Sequence, residues 1–320
     1  MKLISIDLLR GVAAFMIVGC HLVLSPRTDA ASFIAHFCNF AVGLFAALSG
    51  FLMSTKRDLD WFGYVRKRAS RLLPIYLIWT VVFILFAMGF QFSLSGSISG
   101  RFFKPSFYLS ALFTGGASCH LWFVISLFYA QAIVYCLLKS VYRFHGLNGL
   151  WCCFFGFTVV CLAAWMKNWF GTYPIRLLGF LLMGIGARQL YERKVVSAKW
   201  LVVGVVVAGI VHIVAQPILH GFIRDALLVI PVLLAFVSIP NQAISNPKIK
   251  QFIELLGITS MGVYLMHPLF CAGFGVAIRK LFPTPFGLAP ILIDWFACYF
   301  AALICSIILT RIKVLRRFIV

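Results

Sequence analysis

The fold is decided by residues 3–24, LISIDLLRGVAAFMIVGCHLVL, an apolar run long enough to cross a bilayer. The run nonetheless contains Asp7, Arg10 and His21, and ionisable side chains in hydrocarbon need a partner or a function. Asp7 precedes Arg10 by three residues, so we expect the two to pair. Arg10 and His21 lie close to three helical turns apart, which places them on one helix face with a separation of about 16 Å. We therefore expect this face to line a site inside a helical bundle.

The composition of the whole chain indicates a polytopic membrane protein. Hydrophobic residues make up 62% of its 320 residues and charged residues only 11%, which excludes an ordinary soluble domain. The net charge of +20 occurs as short Lys and Arg clusters between apolar runs. Such clusters indicate membrane topology, and we expect no nucleic-acid partner. The ten Cys include no CxxC pair, which argues against a disulfide framework or a metal site.

Ten apolar runs predict an all-α polytopic bundle of about ten transmembrane helices, in which residues 1–320 form a single transmembrane domain. An even number of spans puts both termini on one side of the membrane. Placing them in the cytoplasm leaves 20 of the 28 basic residues inside, as the positive-inside rule requires. The basic residues left outside are Arg27, Arg101, Lys104, Lys167, Arg176, Arg224, Arg279 and Lys280. The runs lie near residues 3–24, 33–53, 72–90, 119–138, 149–166, 174–191, 200–216, 222–239, 256–278 and 287–310.

Three histidines fall in the outer half of this predicted bundle. His21 lies near the outer end of the first span, and His120 begins the fourth span, which runs inward. His267 shares one face of the ninth span with Ser260 and Tyr264. Imidazole titrates near physiological pH and suits general-base or nucleophilic chemistry. A membrane histidine also serves as an interhelical hydrogen-bond donor, and that alternative stays open for each of the three.

Basic residues before the third span form a different kind of site on the predicted cytoplasmic side. Arg68 and Arg71 are one helical turn apart, so both side chains can point the same way. Together with Arg10 they can form an anion clamp, because guanidinium groups match phosphate oxygens in two-point contacts. Arg66 and Lys67 are better explained as anchors to lipid headgroups.

Five motifs in this order resemble the acyltransferase family 3 of integral membrane proteins. The motifs are Arg10 with His21, FAALSGFL at residues 45–52, RASRLLPIY at 68–76, HLWF at 120–123 and SMGVYLMHP at 260–268. The resemblance implies transfer of an acyl group, most often acetyl, from cytoplasmic acyl-CoA to an acceptor hydroxyl on the outer side. Acceptors in this family are commonly surface polysaccharides or lipid-linked sugars. The chain departs from the expected pattern at Ala46 and Ala47, in place of a second Phe and a β-branched residue, so its pocket shape can differ.

The residues and the resemblance together predict a mechanism with two ends. At the inner end, acyl-CoA (acetyl-CoA) is the co-substrate, and its phosphates dock on Arg68, Arg71 and Arg10; no metal is expected. At the outer end, His21 acts as the general base on the acceptor hydroxyl, or takes the acyl group before passing it on. The further catalytic candidates are His120 and His267, with Tyr264 and Ser260 as donors to the oxyanion.

A polytopic transporter or flippase for a small or lipid-linked anionic substrate is the alternative function. Polar residues along one helix face can line a permeation path as well as a reaction chamber. No acidic residue falls clearly at mid-membrane, where ion coupling would use one, and this favours the enzyme. We expect a multi-pass protein of a bacterial plasma (inner) membrane, in contact with membrane lipids. The sequence leaves open the acceptor, the acyl chain length and whether the chain forms a homo-oligomer.

Overall fold

Helices make up nearly all of the described chain. The computed structural model describes residues 3–22, 29–54, 60–118, 120–142, 148–166, 172–195, 197–216, 218–281 and 288–319, and these ranges contain no strand. The α-helices are α1 Ile4–Cys20, α2 Asp29–Cys38, α3 Phe40–Met53, α4 Trp61–Ser95, α5 Pro105–Thr114, α6 Trp122–Tyr142, α7 Gly149–Trp165, α8 Thr172–Glu192, α9 Ala198–Val214, α10 Gly221–Val237, α11 Pro247–Leu281, α12 Leu288–Arg311 and α13 Lys313–Arg316. Two short 3₁₀ helices, Gly100–Phe103 and Asn241–Ala243, complete the described elements.

Five described segments are long and apolar enough to cross a membrane, judged by length and composition. They are Ala30–Met53, Trp61–Ser93, Trp122–Lys139, Pro247–Ile278 and Leu288–Arg311, and the shorter apolar helices Gly149–Trp165 and Lys199–Val214 accompany them. These segments indicate an all-helical, multi-pass membrane protein. The count of ten spans and the cytoplasmic position of the termini stay predictions. Of the basic residues that suggested this orientation, six lie outside the described residues: Lys2, Arg27, Lys56, Arg57, Arg143 and Lys167.

Three element boundaries differ from the sequence-based expectation. The run at residues 33–53 is divided between α2 and α3 at Asn39, whose side-chain amide donates to the Asp225 carboxylate at 2.6 Å. The first helix has 17 residues, or about 26 Å at 1.5 Å per residue, which is less than the run of residues 3–24 allows. Residues 61–71, expected in a connection, are the first turns of α4, because the Asp60 carboxylate accepts a hydrogen bond from the Gly63 N–H and caps the helix.

Glycines bring α8 into direct backbone contact with α3 and α7. A Cβ atom at Gly184 would overlap the backbone carbonyl of Ala47 on α3, and one at Gly156 on α7 would lie 2.6 Å from the Gly179 carbonyl oxygen. Small residues allow membrane helices to approach this closely. Ala46 and Ala47 are fully buried in this packing. The alanines that depart from the expected family pattern therefore lie where α3 and α8 pack closely together.

Helices α1 and α11 lie side by side and run in the same direction. In the first turn of α1, Asp7 packs against Gly257 of α11, where a Cβ atom would lie 2.6 Å from a carboxylate oxygen. Further along both helices His21 meets His267, with ring centroids 5.0 Å apart. Because residue numbers rise together along both helices, the pair is parallel. One helix pair therefore carries residues from both ends of the predicted site.

Candidate functional site

Three separate elements bring the predicted histidines into one cluster. His21 follows the last residue of α1, His120 precedes α6, and His267 lies inside α11. The His267 ring is central, with centroids 5.0 Å from His21 and 5.5 Å from His120. Residues that are far apart in the sequence thus form a continuous imidazole surface, which we call the histidine cluster.

Backbone hydrogen bonds set the tautomers of two members of this cluster. The His21 Nδ1 atom lies 3.0 Å from the carbonyl oxygen of Ile17, and the His267 Nδ1 atom lies 3.2 Å from that of Val263. A carbonyl oxygen only accepts hydrogen bonds, so each Nδ1 carries the hydrogen. In the neutral ring, Nε2 then holds the lone pair. Both imidazoles are therefore in the form in which Nε2 can accept a proton from a hydroxyl.

The cluster also contains a buried ring nitrogen that has no partner in the described part of the chain. His120 is 1% exposed and His267 is fully buried, and the His267 Nε2 atom has no hydrogen-bond partner among the described residues. A buried polar atom in this condition costs about 1–3 kcal/mol. The Nδ1 atom of His120, by contrast, lies 2.9 Å from the Ser118 hydroxyl. The His120 ring also interacts with the backbone of Leu265, so the His267 Nε2 atom is the one suited to receive a group that does not belong to this chain.

The two hydroxyl candidates lie near the cluster, but their protons are engaged. The Tyr264 hydroxyl donates to the backbone carbonyl of His120, and its ring centroid lies 5.5 Å from that of His120 and 6.1 Å from that of His267. The Ser260 hydroxyl donates to the Gly257 carbonyl at 2.8 Å, within α11. Either hydroxyl must rotate away from its carbonyl before it can donate to an oxyanion. In the present geometry both residues are walls of the site.

The three predicted arginines converge on one cavity. Arg10 keeps 35% of its side chain exposed and pairs with Asp7, Nη1 to Oδ1 3.3 Å, as the sequence spacing predicted. The Arg68 Nε donates to the Tyr64 hydroxyl at 3.1 Å, which holds the guanidinium by one edge. Arg71 lies one turn further along α4 and is exposed. All three line the same cavity, which concentrates positive charge at its mouth.

This cavity, the arginine cavity, has a volume of about 360 Å³ and extends from the arginines to Tyr264. Its intermediate walls are mostly apolar, with Leu48 and Leu127 among them, together with Phe123. Because Tyr264 also contacts two rings of the histidine cluster, the far end of the cavity lies against that cluster. The exposed neighbours Arg66 and Lys67 are not part of its lining, so they fit the expected role as headgroup anchors.

Comparison with known families decides the class of this protein. A family model described as an acyltransferase domain matches residues 3–311, nearly the whole chain. The chain belongs to this acyltransferase family. A search of curated proteins and a search of solved structures each found no match. The resemblance predicted from the five motifs is thereby confirmed, and the roles of the individual site residues stay predictions.

The acyltransferase has a further polar residue in its arginine cavity that the sequence analysis missed. Gln131 of α6 is 2% exposed and lines the cavity, and its Oε1 atom has no hydrogen-bond partner among the described residues. The sequence did contain an indication of this residue, since burying a glutamine inside an apolar span costs free energy and such residues mark functional positions. It lies four residues after Leu127, on the same face of α6.

A second cavity of the acyltransferase, of about 550 Å³, adjoins the histidine cluster from another side and was also missed. Its lining combines part of α4 with the segment between α4 and α6, and Pro268 of α11 contributes as well. We call it the outer cavity, because Arg101 in its wall falls on the predicted outer side. The path of residues 96–118 depends on tertiary contacts, and a composition-based analysis does not predict it.

One histidine outside the cluster also has buried polar neighbours. The His212 Nδ1 lies 4.0 Å from a carboxylate oxygen of Asp225, and its carbonyl accepts a hydrogen bond from Arg224 at 3.0 Å. The Asp225 carboxylate in turn accepts from Asn39. These contacts join α3, α9 and α10, so a packing role explains this second polar group of the acyltransferase.

Proposed function

We propose that this acyltransferase moves an acyl group, acetyl in the simplest case, from cytoplasmic acyl-CoA to a hydroxyl of a surface polysaccharide or lipid-linked sugar. The observation that supports the proposal most directly is the arginine cavity. It links Arg10, Arg68 and Arg71 with Tyr264, which contacts the rings of His120 and His267. A charged carrier held at one end can thus present its cargo to imidazoles at the other.

The arginine end suits the phosphate groups of CoA. Guanidinium groups bind phosphate oxygens in paired, charge-assisted hydrogen bonds. The bond from Arg68 Nε to Tyr64 leaves the two terminal nitrogens of this arginine available for such a pair. Asp7 orients Arg10 and also lowers its net attraction for phosphate, so Arg68 and Arg71 are expected to contribute most.

The middle of the arginine cavity suits the pantetheine arm. This arm alternates methylene groups with amides, and the cavity combines apolar walls such as Leu48 and Leu127 with the amide of Gln131. A buried amide without a partner gains most from a ligand amide, because the ligand removes its desolvation penalty. Gln131 is therefore proposed to hydrogen-bond the arm and to fix how deeply the thioester enters.

At the histidine cluster, His21 is proposed as the general base. Its Nε2 accepts the proton of the acceptor hydroxyl while the acceptor oxygen attacks the thioester carbon. The new C–O bond forms, the C–S bond breaks, and the proton passes from the imidazole to the CoA thiolate. A route in which an imidazole first takes the acyl group has the same overall balance, with two transfers in place of one. His120 and His267 orient the reacting groups in either route.

Buried acids give the transporter alternative little support. Asp7 pairs with Arg10, and Asp225 accepts a hydrogen bond from Asn39. Carboxylates that couple ion movement to transport need to exchange partners with the ion. Asp294, also fully buried, accepts a hydrogen bond from the Cys298 thiol, and none of the three acids is among the described residues that line the arginine cavity. The buried acids therefore favour an acyltransferase over a transporter.

Turnover by the purified protein in lipid nanodiscs tests the proposal. Release of CoA thiol from acetyl-CoA is followed with a thiol reagent for the wild type, His21→Ala and His36→Ala. His36 is exposed, with its Nδ1 bound to the Ser32 carbonyl, and serves as the matched control. We expect His21→Ala to lower turnover about 10²–10⁴-fold with CoA binding retained, the range for loss of a general base.

Two outcomes would contradict this proposal. Unchanged turnover in His21→Ala would remove His21 from the role of base. Uptake of an anionic substrate into proteoliposomes, without any acetyl-CoA turnover, would favour the transporter.

A further inference from the structure

Residues in the wall of the outer cavity contact the histidine cluster, although no histidine is among the described residues that line the cavity. Phe83 in its wall packs against His120 with ring centroids 4.7 Å apart, and the Ser118 hydroxyl lies 2.9 Å from the His120 Nδ1. Pro268, bonded to His267, lines the same cavity. A molecule in the outer cavity is therefore next to the residues that surround the cluster, and it lies on a different side from a molecule in the arginine cavity, as a reaction with two substrates requires.

The lining of the outer cavity combines aromatic surface with small polar groups. Phe86 and Phe90 are half-buried and stacked, with ring centroids 5.6 Å apart and planes 17° apart. The Gln91 amide oxygen accepts from the Ser99 N–H at 3.3 Å, so its NH₂ group is the end left for a ligand. Ser95 adds a hydroxyl. An apolar shelf beside short polar groups matches a sugar ring, which has apolar C–H faces and a polar rim.

Arg101 gives this cavity a positive charge, and none of the described residues that line the cavity is an acid. The chain has no Asp or Glu between residues 61 and 191, and no acidic side chain is among the described residues that line the cavity. The Arg101 guanidinium lies 4.6 Å from the ring centroid of Phe102 and 5.9 Å from that of Phe107. These cation–π contacts restrict its position and leave its hydrogen-bond donors available. A cation placed this way at an apolar wall attracts and orients anions.

We propose that the outer cavity is the acceptor site and that it selects a sugar carrying an anionic group, a carboxylate or a phosphate, which binds Arg101. The inference rests on the function proposed above and names its acceptor class. The ring of the sugar lies on Phe86 and Phe90, and one of its hydroxyls points past Ser118 toward the histidine cluster. That hydroxyl loses its proton to an imidazole of the cluster and gains the acyl carbon, while CoA leaves as the thiol.

Matched sugars test the charge preference. The probes are methyl β-glucuronide, which carries a carboxylate, glucose 1-phosphate, which carries a phosphate, and methyl β-glucoside, which is neutral. Binding to the protein in nanodiscs is measured by calorimetry, and acetylation of each probe by mass spectrometry with acetyl-CoA present. We expect at least one anionic probe to bind about tenfold or more tightly than the neutral probe, the range for one charge-assisted contact. The better of the two anionic probes identifies the source of the charge.

Two variants connect that preference to one side chain. Arg101→Gln is expected to remove the preference for the anionic probe while binding of the neutral probe stays within about twofold. Lys104→Gln is the matched control, because Lys104 is a neighbouring exposed cation that is not part of the cavity lining. It should leave the preference unchanged.

The possible results separate this inference from the proposed function. Equal binding of charged and neutral sugars, binding of none of them, or a preference that survives Arg101→Gln would overturn the inference, whatever the acetyl-CoA turnover. Loss of the preference in Lys104→Gln as well would also overturn it, since the effect would then be a general surface potential. Absence of acetyl-CoA turnover, with the charge preference present, would overturn only the proposed function.

Discussion

Replacing Arg68 by Ala is expected to weaken acyl-CoA binding about 30-fold. The Nε of Arg68 is bound to the Tyr64 hydroxyl, so the terminal nitrogens are left to face the arginine cavity. A hydrogen bond to a charged partner contributes about 1.5–3 kcal/mol, and a value near 2 kcal/mol corresponds to about 30-fold in the dissociation constant. The side chain is only half-buried, so added salt should reduce the difference between wild type and variant.

The contact between Arg68 and Tyr64 supplies a graded second perturbation. Tyr64 is 1% exposed and stacked on Tyr135 with ring centroids 3.8 Å apart, so Tyr64→Phe keeps the packing and loses only the hydroxyl. The freed guanidinium becomes less well oriented, and we expect about fivefold weaker binding, near 1 kcal/mol, for one lost neutral hydrogen bond. Combined with Arg68→Ala, the change at Tyr64 should have little further effect, because its partner is gone.

Isothermal titration of CoA into the nanodisc-embedded protein measures both effects. Arg66→Ala is the control, since Arg66 is an exposed cation of the same helix turn but not part of the cavity lining. Equal weakening by Arg66→Ala and Arg68→Ala would show that CoA responds to the general charge of this surface. Unchanged affinity in Arg68→Ala would refute the clamp itself.

Two further changes have expected outcomes that can be measured on the same preparation. Gln131→Leu removes a buried amide whose oxygen has no partner among the described residues, so it should raise the free energy of unfolding by about 1 kcal/mol. The same change should raise the KM for acetyl-CoA several-fold, because the proposed contact with the pantetheine arm is lost. A lower melting temperature with unchanged KM would contradict the proposed contact. Gly184→Val would force α8 away from the Ala47 carbonyl, so we expect a loss of stability of at least about 1–3 kcal/mol in thermal unfolding. Gly209→Val, at a glycine of α9 with open space around it, is the matched control and should be nearly neutral.

The sequence predicted the positions of the site residues better than it predicted the paths of the segments that connect the helices. Depth arguments from helical spacing placed His21, His120 and His267 in the outer half of the bundle, and the structure brings their rings together. That inference works because a membrane helix advances by a fixed rise for each residue. The outer cavity was not predicted, because residues 96–118 contain no long apolar run and their path is set by contacts with α4 and α6.

Side-chain partners were the other information that the sequence could not provide. Ser260 and Tyr264 were expected as donors to an oxyanion, but both hydroxyls donate to backbone carbonyls. A backbone acceptor within reach of a hydroxyl does not appear in a pattern of residue types. The pairing of Asp7 with Arg10 was predictable because both lie within one helical turn. Local pairs can thus be predicted from spacing, whereas partners contributed by a second helix cannot.

The parallel pairing of α1 and α11 works as a molecular ruler. Arg10 and His21 have fixed positions along the axis of α1. Gly257 and His267 lie at corresponding positions along the axis of α11. Neither helix can shift along its axis without breaking the close contact between Asp7 and Gly257. If acyl-CoA binds as proposed, an analogue with a pantetheine arm shortened or lengthened by a few methylene groups would place its thioester below or above the imidazoles. Tight binding of its phosphates would not correct this position.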